Sequence, residues 1–141
     1  MLKYHAVKRP DPRDPTLPPR YYAAPSYNVL IPLRELKKEI ARFTTVSGPD
    51  IGAVLDATFE LVPDLLKRGH IVSLGDLGTL YPTFASEGQE TEEAVTPQSI
   101  TQARIRFRAS KWLKQAMTFL EFTKEDNGHG NGVGQIKTAA P

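Results

Sequence analysis

The 141-residue chain has no cysteine, and its 18 Lys and Arg against 16 Asp and Glu leave a net charge of only +2. Thiol catalysis, disulfides and thiolate metal sites are excluded, which fits a reducing cytoplasm. No apolar run approaches a membrane span, and the N-terminus, MLKYHAVKRPDPRDP, turns proline-rich and charged where a signal peptide needs an apolar stretch.

The length suits one domain with tails and a modest core. Residues 1–32 carry Pro10, Pro12, Pro15, Pro18, Pro19 and Pro25, which keep most of the stretch extended or looped. Two pieces within it, KYHAV and RYYAA, are aromatic enough for strands added to the edge of a later sheet. Leu33, Leu36, Ile40 and Phe43 then recur at three- and four-residue spacing, which predicts an amphipathic helix starting just after Pro32. TTVSGPD ends that helix and starts another: Ser47 is an N-cap, Pro49 suits an early helical position, and Asp50 lies toward the positive end of the helix dipole.

At 100° per residue the second helix gathers Ile51, Val54, Leu55, Phe59, Leu61, Val62, Leu65 and Leu66 in one wide arc, leaving Asp56, Glu60, Asp64 and Lys67 outside. One short helix would not cover that arc, so a sheet or a second copy of the chain is required. Pro63 falls on the polar side, where it is expected to kink the helix, and Gly69 supplies a left-handed cap. HIVSLGDLGTLYPTFA reads as two strands around a tight turn at Gly75–Gly78, the second ending near Ala85. SEGQETEEAVTPQSITQ is polar and acidic, a protruding hairpin or loop. Ala103–Arg108 is a third strand, a closing helix runs from Ser110 to Met117, and FLEFTK is a last short strand. EDNGHGNGVGQIKTAAP has the composition of a disordered tail.

Catalytic and metal chemistry find no constellation. His5, His70 and His129 are scattered at no ligand spacing, so no metal or cofactor is expected. GDLG lacks the Lys-Ser/Thr of a phosphate loop, and Glu90, Glu92 and Glu93 sit where nothing would shift a carboxylate pKa. No serine stands in a nucleophile context. The chain is therefore expected not to be an enzyme and to take no small-molecule substrate.

Charge is sorted instead. From Tyr81 to Ala103 there are four acids, Glu87, Glu90, Glu92 and Glu93, and no base; from Arg104 to Lys114 there are five bases and no acid. Alternate strand residues share a face, so Arg104, Arg106 and Arg108 project together about 7 Å apart, comparable with successive phosphates along one DNA strand. Lys111 and Lys114 share a side of the following helix. Such cations position a protein on phosphates without reading sequence.

The order of elements resembles the HU/IHF family of bacterial DNA-architectural, histone-like proteins. The residues that carry the resemblance run from about Leu33 to Met117: TTVSGPDIGAVLDATFELVPDLLKRG around the helix-turn-helix, VSLGDLGTL at the family's glycine-framed turn, and RIRFRASKWLKQAM at its F-[KR]-P-[GS]-K pattern. YHAVKRPDPRDP, RYYA and SEGQETEEAVTP are most similar to an HU-related subgroup with an N-terminal extension. The resemblance implies an α+β fold: a two-helix base, an antiparallel sheet with a β-arm hairpin, a C-terminal helix, and an intertwined dimer burying the wide helix arc. It implies an N-terminal extension at 1–32, an HU-like domain at 33–123 and a tail at 124–141. It further implies duplex DNA as partner, bent between two arms with an apolar wedge in the minor groove, in the cytoplasm at the bacterial nucleoid. Arg104, Arg106, Arg108 and Lys111 match the DNA-facing strand and helix start, and Lys114, on the same side of the helix as Lys111, is a further candidate phosphate contact.

Two departures stand out. Residues 86–96 carry four glutamates where the family's arm is basic, and no wedge role passes to Pro97; Ala109-Ser110 replaces Pro-Gly or Pro-Ser. The alternative is an HU-fold protein-interaction module that uses the acidic hairpin.

Overall fold

The computed structural model describes residues 1–125 and the backbone of Lys137–Thr138. In chain order the elements are β1 (Leu2–Arg9), β2 (Arg20–Ser26), β3 (Val29–Leu30), α1 (Leu33–Phe43), α2 (Gly48–Lys67), β4 (Val72–Ser73), β5 (Gly78–Ser86), a 3₁₀ turn (Pro97–Ser99), β6 (Ile100–Ala109), α3 (Lys111–Met117), β7 (Phe122–Lys124) and β8 (Lys137–Thr138). The fold is α+β. Its contacts form two units, Met1–Thr45 with Phe119–Pro141, and Val46–Thr118.

In the first unit β1 lies between β2 and β7. It pairs antiparallel with β2 from Lys3↔Ser26 to Arg9↔Arg20 and parallel with β7 from Leu2↔Phe122 to Tyr4↔Lys124. The aromatic strands KYHAV and RYYAA thus form, with FLEFTK, a sheet of their own; they do not extend the β4–β6 sheet as the sequence suggests. Both edges of β1 are occupied, and Leu2 N–H to Glu121 C=O and Glu125 N–H to Tyr4 C=O, each 2.8 Å, frame the parallel side. Pro25 lies in the outer strand β2, where a missing N–H costs no ladder bond. β3 pairs parallel with β8. The remainder of the glycine-rich tail beyond Glu125 lies outside the described residues.

α1 starts after Pro32, and its polar face carries Glu35–Lys38 and Glu39–Arg42 ion pairs at 2.9 and 2.5 Å. The Lys38 hydrogen bond holds the exposed Glu35 carboxyl below its usual pKa.

In the second unit Ser47 caps α2 as its type and position predict: its hydroxyl accepts the Asp50 N–H at 3.3 Å and donates to the Asp50 carboxylate at 2.6 Å. The helix runs through Pro63 and stops at Gly69, whose φ of 84° only glycine adopts freely. Gly69 N–H to Leu66 C=O at 3.0 Å and His70 N–H to Leu65 C=O at 3.1 Å complete a Schellman termination. α2 lies against β4 and β5. Ile51 and Leu66 of this helix are buried, whereas Val54, Phe59 and Leu61, in the same apolar arc, stay 66%, 51% and 60% exposed. Part of the arc is left uncovered.

β4, β5 and β6 form an antiparallel sheet in that order. The long β5–β6 ladder runs from Gly78↔Ala109 to Ser86↔Ile100, with a register shift between Ala85 and Ser86. β6 starts at Ile100, three residues before the expected Ala103, because Gln102 and Ile100 continue the ladder opposite Ala85 and Ser86, with Thr101 as the extra residue at the register shift, although the polarity of Thr101 and Gln102 reads as loop. The acidic stretch is a loop closed by Glu87 N–H to Ser99 C=O at 2.8 Å. Ser99 is buried, and its hydroxyl accepts the Thr96 N–H at 3.2 Å.

Candidate nucleic-acid interface

The ladder register decides what the arginines stand beside. Directly opposite residues share a face, so Arg104, Arg106 and Arg108 line up with Thr83, Tyr81 and Thr79. The other face is apolar, with Leu80, Pro82 and Phe84 opposite Phe107, Ile105 and Ala103. All three arginines are exposed. Alternation at period two therefore separates a cationic face from an apolar one within a single two-stranded ribbon.

Two of the three guanidinium groups are held by neighbours. The Arg104 guanidinium donates from Nε and Nη2 to Gln102 Oε1, at 3.2 and 2.7 Å. The Arg108 guanidinium lies over the Tyr81 ring, 5.3 Å from its centroid, within cation–π range. Neither contact neutralises charge: none of the ion pairs among the described residues involves the row. Tyr81 escapes a reading of the sequence because only the register places it beside the row, and Gln102 because its polar neighbourhood reads as loop and not as the start of the same strand.

The strand feeds α3 through Ser110. Its hydroxyl accepts the Leu113 N–H at 3.0 Å and donates to the Asp76 carbonyl, while its own N–H bonds the Leu77 carbonyl at 3.0 Å. One side chain thus caps the helix and fastens it to the Gly75–Gly78 turn, a task that the Pro-Gly of the family pattern would not perform with a hydroxyl. Gly78 is buried at the foot of the ladder with φ 153°, and a Cβ there would collide with the Arg108 carbonyl and the Phe107 ring. Lys111 and Lys114 stand exposed on α3, which begins one residue after Ser110. The exposed cations therefore follow one another along the chain from Arg104 on the strand to Lys114 on the helix, with no acid between them.

At the far end of the same hairpin Glu87, Glu90, Glu92 and Glu93 are exposed in the acidic loop. Elsewhere, His5 Nδ1 is 2.8 Å from Ser26 Oγ, and no group of three potential metal ligands comes together among the described residues. His129 lies outside them. A shallow apolar concavity of about 260 Å³, lined by Leu2, Tyr4, Ala23, Ala24, Pro25 and Phe122, offers no convergent charged groups. No helix among the described residues is long and apolar enough to cross a membrane.

Residues 1–124 match the family HU-HIG, an HU domain fused to wHTH, Ig, or glycine-rich motif. Two proteins of Neisseria meningitidis, a DNA-binding protein HU-beta from serogroup A and a DNA-binding protein HU from serogroup B, are each 35% identical over 85 residues, covering 59% of this chain and 96% of theirs. A Bacteroides vulgatus crystal structure, described as that of a candidate bacterial DNA-binding protein, superposes with a TM-score of 0.62 at 14% identity, a likeness of fold. The superposition covers 87% of this chain, which spans 47% of that structure's length. A 35% identity across nearly the whole of two HU proteins, together with a family match over 124 of 141 residues, has one reading: the chain belongs to the HU family, in its HU-HIG group.

Proposed function

We propose that this chain is a non-enzymatic, HU-like DNA-binding protein that acts as a homodimer at the bacterial nucleoid and takes duplex DNA with low sequence specificity. Arg104, Arg106, Arg108, Lys111 and Lys114 contact phosphates, and the DNA bends over the surface they form. The observation that carries the reading is the acid-free cationic row on one face of the β5–β6 ribbon, in a member of a family whose relatives are named for DNA binding. Phosphate contacts release condensed counterions, so affinity falls steeply with salt, by about 0.9 in log–log slope for each contact.

Dimerisation is supported by the uncovered part of the α2 arc. Val54, Phe59 and Leu61 are each more than half exposed, as are Ile105 and Phe107 on the apolar sheet face. Fully burying such a side chain is worth roughly 1.5–3 kcal/mol, and a second copy offers the same faces in return.

The test is fluorescence anisotropy of a labelled duplex across several salt concentrations, with Arg104, Arg106 and Arg108 replaced together by Ala. The expected outcome is a salt slope lower by about 2.7 and an affinity at least about a hundredfold weaker at moderate salt, with the dimer intact. A wild-type constant indifferent to salt defeats the reading. The exposed acidic loop favours a second one, a protein-interaction module with reduced DNA binding; charge reversal in that loop separates the two.

A further inference from the structure

We infer that the loop end of the β1–β2 hairpin is a second nucleic-acid contact surface, which takes the phosphate backbone of duplex DNA through Lys8, Arg9, Arg13 and Arg20. The inference rests on the DNA-binding reading and adds to it a surface in the other unit.

Arg9 and Arg20 are the last ladder pair of the hairpin, directly opposite each other and so on one face. Like charges so placed repel and destabilise the ladder. All four cations are exposed, and none takes part in any ion pair among the described residues. The two nearby acids, Asp11 and Asp14, keep their charge and leave the hairpin end a surplus of two cations, but they bond within the loop and form no ion pair with those cations. Asp11 accepts the Arg13 N–H at 2.8 Å; Asp14 accepts the Thr16 N–H at 3.0 Å and the Thr16 hydroxyl at 2.5 Å. Those Thr16 hydrogen bonds, the side-chain one foremost, hold the Asp14 carboxyl below its usual pKa. Pro10, Pro12, Pro15, Pro18 and Pro19 narrow the loop's conformations further.

The distribution of charge selects a groove over a flat anionic surface. Arg9 and Arg20 share one face of the ribbon, while Lys8, paired with Tyr21, lies on the other. A two-stranded ribbon fits the major groove of a duplex, whose walls meet cations on both faces at once. Tyr21 and Tyr22, 69% and 49% exposed, alternate faces beside them and supply apolar contact to the same partner. The β5–β6 hairpin, by contrast, ends in glutamates, so within this chain the basic, proline-containing hairpin end is the N-terminal one.

The test uses the full chain with Lys8, Arg9, Arg13 and Arg20 all changed to Gln, titrated with labelled duplex DNA at several salt concentrations. The salt slope is expected to fall by about 3 or more, and the affinity at moderate salt by at least about tenfold. A companion variant with Arg9, Arg13 and Arg20 changed to Lys retains the slope, which separates lost charge from lost fold; the Gln variant's melting temperature holds or rises, since the opposed pair is gone. An unchanged slope and affinity, in a protein whose Arg104/Arg106/Arg108 variant loses both, overturns the inference and leaves the DNA-binding reading standing. Failure of the wild type to bind duplex at low salt removes both. Hairpin-dependent binding to vesicles containing phosphatidylserine, with the DNA slope unaltered, also overturns it, in favour of a lipid surface.

Discussion

The two ends of the β5–β6 hairpin are built by opposite means. At its foot, Gly78 is buried beneath the Arg108 carbonyl, Ser110 ties strand, turn and helix together, and the arginine row begins. At its tip, the chain is closed by local bonds of Glu87 and Thr96 to Ser99, and the exposed side chains are acidic. One ladder therefore carries a rigid cationic end and a locally closed anionic end. The difference teaches that one element separates charge of opposite sign along its length, so on the proposed DNA-binding reading a duplex approaching the foot is favoured by one end and opposed by the other.

The sharpest way to break this contrast is a single methyl group. Gly78→Ala adds a Cβ that meets the Arg108 carbonyl and the Phe107 ring at a φ of 153°, so it is expected to destabilise the protein by at least about 2 kcal/mol. Gly88→Ala, in the acidic loop, meets nothing within 4 Å and is expected to change stability by less than about 1 kcal/mol, toward the stable side. Chemical denaturation of the two variants reads the difference directly. Equal midpoints would mean that the foot is not the rigid end.

The acidic tip is tested by reversing it. Changing Glu87, Glu90, Glu92 and Glu93 to Lys removes a field that repels phosphate, and the duplex affinity is expected to rise at least about tenfold at low salt, with a steeper salt slope. Unchanged DNA affinity, with loss of a protein partner in pull-down from the native host, would favour the interaction-module reading.

Much of this arrangement was legible in the chain, and the parts that were not have a common cause. Ser47, Pro49 and Asp50 marked the start of α2, and Gly69 its end, because caps are local chemistry. The alternating arginines marked β6, and Leu33, Leu36, Ile40 and Phe43 marked α1. What escaped was pairing between distant segments. FLEFTK reads as a strand, but nothing in it says that it lies parallel to Leu2–Tyr4. Gln102 and the unpaired Thr101 beside it read as loop because polarity is a weak guide where a strand holds both faces in solvent. Tyr81 falls in the same class: its role depends on a register that its neighbours in sequence do not encode.

That register supplies the smallest and most discriminating prediction. Tyr81 stands directly opposite Arg106 and beneath the Arg108 guanidinium, so it orders a cation without changing the number of cations. An exposed cation–π contact is worth about 0.5–1 kcal/mol, and Tyr81→Leu is therefore expected to weaken duplex binding by roughly two- to fivefold. The salt slope is expected to stay at its wild-type value, because slope counts phosphate contacts and none is lost. Tyr81→Phe keeps the ring and restores the affinity, which a hydroxyl contact to DNA would not allow. Arg108→Ala moves both quantities, lowering the slope by about 0.9. A Tyr81→Leu variant whose slope falls as well would show that the ring holds Arg108 on its phosphate; an unchanged slope with weaker binding shows that it only limits the guanidinium's freedom before DNA arrives.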